Sequence, residues 1–111
     1  MPAVALSDVV LGLVVGRMQL LANPLRLRLL LALQDGESYV QELADVLGVD
    51  QWTASRGLSD LHREGILTRR RDGTRVLYSI ADYTACRLIG QVAESVIAHI
   101  EELHDLVLEN D

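Results

Sequence analysis

Residues 40–80, VQELADVLGVDQWTASRGLSDLHREGILTRRRDGTRVLYSI, change their apolar period part-way along, and that change decides the fold. Val40 to Leu47 fits a short helix ending at Gly48, the natural left-handed residue after a helix. Asp50 can cap a following helix that runs to about Glu64, with Ala54, Leu58 and Leu61 facing inward and Gly65 as its stop. Beyond Gly65 the pattern becomes strand-like. Ile66 to Arg71 and Arg75 to Ile80 flank Asp72-Gly73-Thr74, a tight hairpin signal. Two helices joined by the short Gly48-Val49-Asp50 turn and followed by a hairpin make a helix-turn-helix with a wing.

Outward from this segment the chain is helical on both sides. Leu6, Val9, Val10, Leu13, Val14, Arg17, Leu20 and Leu21 recur at helical spacing, which predicts a first helix over 5–21. Asn23-Pro24 marks a fresh start, with Asn as cap and Pro at the first helical position. Leu25, Leu29, Leu30 and Leu33 form the stripe of that second helix, and Asp35-Gly36 closes it. Asp82 can cap a long last helix, whose positions Ile89, Val92, Ala93, Val96, Ile97, Ile100, Leu103 and Val107 form a wide apolar stripe. The expected fold class is mainly α with a β-hairpin, a winged helix-turn-helix of order α-α-α-α-β-β-α in one domain over 1–111. Within it, 40–64 is the helix-turn-helix and 66–80 the wing. The flanking helices 5–21 and 82–108 carry more apolar surface than so small a core needs, so they are expected to pair two copies into a homodimer.

Composition narrows the function. Half of the 111 residues are apolar, enough for one packed core. The longest N-terminal apolar run, Val9 to Val15, is too short to span a bilayer and lacks the flanks of a signal peptide. A single cysteine, Cys86, excludes an intrachain disulfide and fits a reducing compartment, so a cytoplasmic protein without a membrane role is expected. The net charge of −6 argues at first against nucleic acid, but its distribution matters more. Trp52 to Arg75 holds six arginines against three carboxylates, whereas Ala81 to Asp111 holds one arginine against seven carboxylates. No nucleophile–base arrangement and no phosphate-cradling glycine loop is present, so an enzyme is not expected.

Four segments carry a resemblance. Residues 21–30 (LANPLRLRLL), 41–48 (QELADVLG), 53–66 (TASRGLSDLHREGI) and 71–78 (RDGTRVLY) are together similar to the ArsR/SmtB regulators, in order and over about residues 20–83. The resemblance implies a dimeric transcriptional regulator, in most members a repressor that leaves DNA when a metal ion or a redox signal is sensed. Two positions depart from the family pattern. Gly57 stands where the family usually has His, at a helix-propensity cost of about 1 kcal/mol. Trp52 stands where a small polar residue is common. Both lie on the reading helix, so operator preference does not carry over.

The reading helix would enter the major groove of double-stranded DNA by its N-terminal part. Gln51 can bond adenine bidentately and Arg56 can do so to guanine, while Thr53 and Ser55 suit phosphates or a thymine methyl. Trp52 either stacks on the DNA backbone or packs on the protein. Arg69, Arg70, Arg71 and Arg75 belong to the wing, where they would reach phosphates or the minor groove, or else form a solvated edge. Against this stands a winged helix that binds chiefly a co-regulator protein, as one half of a pair whose partner does the sensing.

The effector is less legible. The thiolate pair that one family type carries at the third helix is replaced here by Tyr39 and Gln41. Another type's ligand pattern meets Asp82 but then Thr84, Ser95 and Ala98, and a third type's late cysteines are Asp60 and Glu64. A different set remains: His99 and Glu102 share one face of the last helix, and Glu101, His104 and Asp105 lie roughly on another. Imidazole and carboxylate without thiolate suit nickel or zinc, with cobalt or iron next, and nickel-responsive members of the family exist. The metal candidates are therefore His99, Glu102 and His104, beside the alternative of an acidic solvated helix end. Neither cluster fills a coordination sphere without the partner helix. His62 reads as a surface residue, and Cys86 as a small buried hydrophobe at the dimer seam.

Overall fold

In the computed structural model, which describes residues 6–109, the elements follow in the order α1 (Asp8–Leu21), α2 (Pro24–Ala32), β1 (Ser38–Tyr39), α3 (Val40–Leu47), α4 (Gln51–Arg63), β2 (Leu67–Asp72), β3 (Arg75–Ile80) and α5 (Thr84–Glu109). This is the expected winged helix-turn-helix, with one strand added. The expected start of the first helix at residue 5, and Asp111 of the acidic tail, lie outside the described residues.

Local chemistry sets the helix boundaries. The Val10 amide donates to Ser7 Oγ, so α1 begins at Asp8. The Arg26 amide donates to Asn23 Oδ1 at 3.0 Å, with Pro24 at the first helical position. Gly48, at φ 69°, makes the left-handed turn that a side chain would strain, and so frees the chain to begin α4 three residues later. Asp50 then caps α4, its Oδ1 accepting from the Thr53 amide at 2.7 Å. Asp82 accepts from the Thr84 amide at 2.9 Å, and α5 starts at Thr84, one residue later than a cap at Asp82 predicts.

The core is a single aliphatic cluster. Leu29 and Leu30 of α2, Leu33 just after it, Leu43 of α3, Leu58 and Leu61 of α4, and Ile66 are all sealed from solvent, and each such burial contributes about 1.5–3 kcal/mol. Leu25, expected in the α2 stripe, is only half-buried at the rim of this cluster. Cys86 is the small buried hydrophobe expected, packed in the protomer's own core cluster.

The sheet is larger than the expected hairpin. Its strand order is β1-β3-β2, all antiparallel, with Ser38 opposite Tyr78 and Tyr39 opposite Leu77. A two-residue strand carries too short a pattern to be read from sequence. The turn is also tighter than expected: Asp72 pairs with Arg75, so Gly73 (φ 64°) and Thr74 alone make it.

Gly57 lies on α4 as expected, and the structure adds a packing role that the sequence reading did not assign. It is buried, and a Cβ there would stand 2.9 Å from Leu29 Cδ1 and 3.3 Å from Leu25 Cδ2. The glycine lets α4 lie close on α2, on the side of α4 turned away from solvent.

Outside the core, α1 and α5 stand bare. In α1 Leu21 is the one buried residue, while Val9 is 74% and Leu13 69% exposed. In α5, about 39 Å long at the helical rise, burial is confined to Ala85 and Cys86. Among the described residues no single helix is long and apolar enough to cross a membrane, and α1 and α2 reach that length only together, bent by 81°.

Candidate nucleic-acid interface

Helix α4 has one buried and one open side. Ala54, Gly57, Leu58 and Leu61 face the core, which leaves Gln51, Trp52, Ser55, Arg56, Ser59 and Arg63 outward or partly outward, and Thr53 at the flank. Trp52 is 68% exposed, so it does not pack on the protein. The Arg56 guanidinium lies 5.2 Å from the centre of its ring, a cation–π contact that holds both side chains at the leading end of the helix. Behind them Asp60 anchors α4 to α2 through Arg26 (3.5 Å) and also meets Arg63 (3.4 Å).

The wing sorts its arginines by strand alternation. Arg69 lies opposite Tyr78 and Arg71 opposite Val76, so these four residues share one face of the hairpin. That face turns toward α4, and together with Ser55, Ser59, Val40 and part of Arg70 it lines an open cleft of about 280 Å³. No hydrogen bond or ion pair holds Arg69 or Arg71 among the described residues.

Arg70 and Arg75 lie on the opposite face and are already engaged. Arg70 makes a bidentate pair with Glu37, at 2.7 Å and 3.1 Å, and the Glu37 carboxyl is held below its ordinary range by that hydrogen bond. Arg75 stacks over the Tyr39 ring with its guanidinium carbon 3.4 Å from the centroid. The Tyr39 hydroxyl donates to Asp72 Oδ2, which raises the pKa of the phenol. Residues 37–39 thus lock the wing to the start of α3. The four wing arginines read as equals in the sequence, and the structure splits them into an open pair and a locked pair.

Three residues of this surface escaped the sequence reading. Ser59 lies one turn beyond Ser55, a spacing that could have flagged it. Tyr39 and Glu37 precede α3, and their part depends on the β1–β3 pairing, which no local signal announces. A second depression, lined by Gln41, Gln51, Ser55, Thr74 and Arg75 among others, continues the polar surface from α3 and α4 to the wing tip.

Known proteins share this architecture. The chain is 37% identical over 78 residues to the HTH-type transcriptional regulator CmtR of Mycobacterium tuberculosis, a match spanning 70% of this chain but 66% of that relative. It is 31% identical over 103 residues to the HTH-type transcriptional regulator NmtR of the same organism, spanning 93% of this chain and 82% of NmtR. Among solved structures, the homodimeric winged helix-turn-helix DNA-binding domain of Mb0332 from Mycobacterium bovis superposes with a TM-score of 0.74 at 34% identity, covering 90% of this chain and 95% of that domain. The family model "Bacterial regulatory protein, arsR family" matches residues 23–69. The chain belongs to the ArsR/SmtB family.

For an ArsR/SmtB protein a metal site is the natural question, and one protomer does not answer it. His99, Glu102 and His104 are all exposed on α5. Five helical positions turn His104 roughly 140° away from His99. Among the described residues no group of three or more His, Cys, Asp and Glu comes together as a metal site would need. A single copy therefore holds no complete metal site among the described residues.

Proposed function

We propose that the chain is a homodimeric transcriptional repressor that reads double-stranded DNA with α4 and the wing. The observation that carries this reading is the cleft between α4 and β2, where Arg69 and Arg71 flank Ser55 and Ser59 beside an exposed Trp52–Arg56 pair. An acidic chain that gathers its unpaired cations beside a helix of exposed polar residues presents what phosphates attract. Gln51 and Arg56 are assigned to base edges, Trp52 to the sugar–phosphate wall, and Thr53 and Ser55 to phosphate or a thymine methyl. Arg69 and Arg71 neutralise phosphates. Arg70 and Arg75 act chiefly by holding the wing in shape.

The apolar faces of α1 and α5 support the dimer, since a lone protomer would leave Val92, Val96, Ile97, Ile100 and Leu103 each half or more exposed. Pairing through these helices would place two α4 helices on successive turns of the duplex, about 34 Å apart. The family resemblance supports a transition-metal effector, and the donors favour nickel or zinc. Such a site is completed by α5 of the second copy, so metal binding is expected to require the dimer. A regulator of this kind works in the cytoplasm, where the chromosome is.

Binding of the protein to its own upstream duplex, followed by fluorescence anisotropy across a salt series, tests the reading. Selective binding whose logarithm falls steeply and linearly with the logarithm of salt concentration is expected, because neutralised phosphates release counterions. Binding that ignores salt, or prefers a protein partner to any duplex, would favour the co-regulator alternative.

A further inference from the structure

Arg17 stands alone in an apolar stripe. Besides Asp8 at its start, it is the only charged residue of α1, and its neighbours on the exposed side are Val10, Leu13, Val14 and Met18. A guanidinium in such a layer is costly to desolvate. It does not point away. Its Nη2 crosses to α4 and donates to the Glu64 carbonyl at 2.8 Å, between residues 47 positions apart in sequence.

Glu64 is the residue at which α4 ends. The last carbonyls of a helix have no partners of their own and carry the negative end of its dipole, so a cation is well placed there. The Gly65 amide closes on His62 and the Ile66 amide on Leu61, and Arg17 seals the same turn from outside. The Asp82 carboxyl at the head of α5 is held below its ordinary range, first by the hydrogen bonds from Thr84 and then by the charges of Arg17 and Arg87. One side chain of α1 therefore sits among the trailing end of α4 and the leading end of α5.

The second observation is an unmet need. Arg17 Nε is shut off from solvent and has no acceptor among the described residues. Buried donors are nearly always satisfied, so a side chain held in place despite an orphan donor is constrained by something other than its own stability. Arg17 also lines the apolar depression formed by Val10, Leu13, Val14, Met18 and Leu88 between α1 and α5, the surface a second copy would cover.

We propose that Arg17 is a positioning residue for DNA recognition: through Glu64 it fixes the trailing end of α4 to α1, so that pairing of two copies sets the direction in which α4 meets DNA. This rests on the DNA-binding reading above. It gives that reading a link between the pairing layer and the reading helix.

The test compares the full chain with Arg17→Met, which keeps the length without the donors, and Arg17→Lys, which restores a cation. Three readouts are taken: sedimentation for self-association, amide hydrogen exchange at Gly65 and Ile66, and binding to the upstream duplex against an unrelated one. Arg17→Met should speed exchange at these amides and weaken selective binding, each about ten-fold, the scale of one charged hydrogen bond. Self-association and binding to the unrelated duplex should hold, and Arg17→Lys should recover part of both losses. Unchanged exchange and selectivity would overturn the proposal. So would a uniform loss of pairing and of binding to both duplexes, with Lys no better than Met, because that pattern describes a merely structural side chain. If the unaltered protein does not distinguish the duplexes, the DNA-binding reading itself falls, an outcome recognisable before any variant is made.

Discussion

Gly57 faces two opposed demands. Replacing it with Ala gains about 1 kcal/mol of helix propensity, yet the new Cβ would meet the fully buried Leu29 at 2.9 Å. Forcing an extra group into a filled core costs about 1–3 kcal/mol, and the Leu29 side chain, sealed from solvent, must shift to accept it. Gly57→Ala is therefore expected to lower the free energy of urea unfolding by a net of about 1 kcal/mol, seen as a lower midpoint, and Gly57→Val to lower it further. A midpoint that rises would show that α2 and α4 are not in close contact. Asp50 makes a different kind of demand. Its carboxyl is held below the ordinary 3.8 by the Thr53 amide, so its contribution is full above that value and fades as pH falls through the lowered one. Unfolding measured from pH 7 to pH 3 should show α4 loosening in acid, and Asp50→Asn, itself a good cap, should flatten part of that dependence. Asp50 was legible because a cap is a local signal. The place of Gly57 was not, because one residue's letter does not say which neighbouring helix comes close.

At the scale of elements, the helices were legible because their apolar period is long and their caps are explicit. Asn23-Pro24, Gly48 and Asp50 each stand where a boundary falls. The wing's two strands were equally plain, but β1 was not, since its two residues are strand only through their pairing with β3. That pairing carries the functional consequence, because it brings Glu37 and Tyr39 to the locked face of the wing. Tyr39→Phe should keep the stack on Arg75 and lose the bond to Asp72, whereas Tyr39→Ala loses both. Amide exchange in β2 and β3 should accelerate more in Tyr39→Ala than in Tyr39→Phe, with DNA affinity falling in the same order. The split among the wing arginines has its own readout. Arg69→Ala and Arg71→Ala should each reduce the slope of binding against salt by about one counterion, and Arg70→Ala by less, because its guanidinium is turned to Glu37. Equal effects at all three positions would contradict the division of the wing into open and locked faces.

The whole molecule is elongated: its radius of gyration is 17.6 Å, against about 13 Å for a compact chain of this length. The excess comes from α1 and α5, whose apolar faces have no partner within the protomer. The sequence revealed this surplus of apolar stripe. It could not reveal what faces His99, Glu102 and His104, which stand exposed on α5 and form no metal cluster among the described residues. Ile97→Glu or Ile100→Glu, each placing a charge where the exposed stripe of α5 would pair, should shift sedimentation from dimer to monomer and weaken DNA binding with it. The central claim is that two copies, joined through these helices, present two α4 helices to one face of a duplex. Hydroxyl-radical footprinting on the upstream DNA tests it most directly. Two protected patches are expected on the same face of the duplex, centred about one helical turn or 34 Å apart, both lost in Ile100→Glu at the same protein concentration. A single patch that survives in Ile100→Glu, or no patch at any concentration, would contradict it.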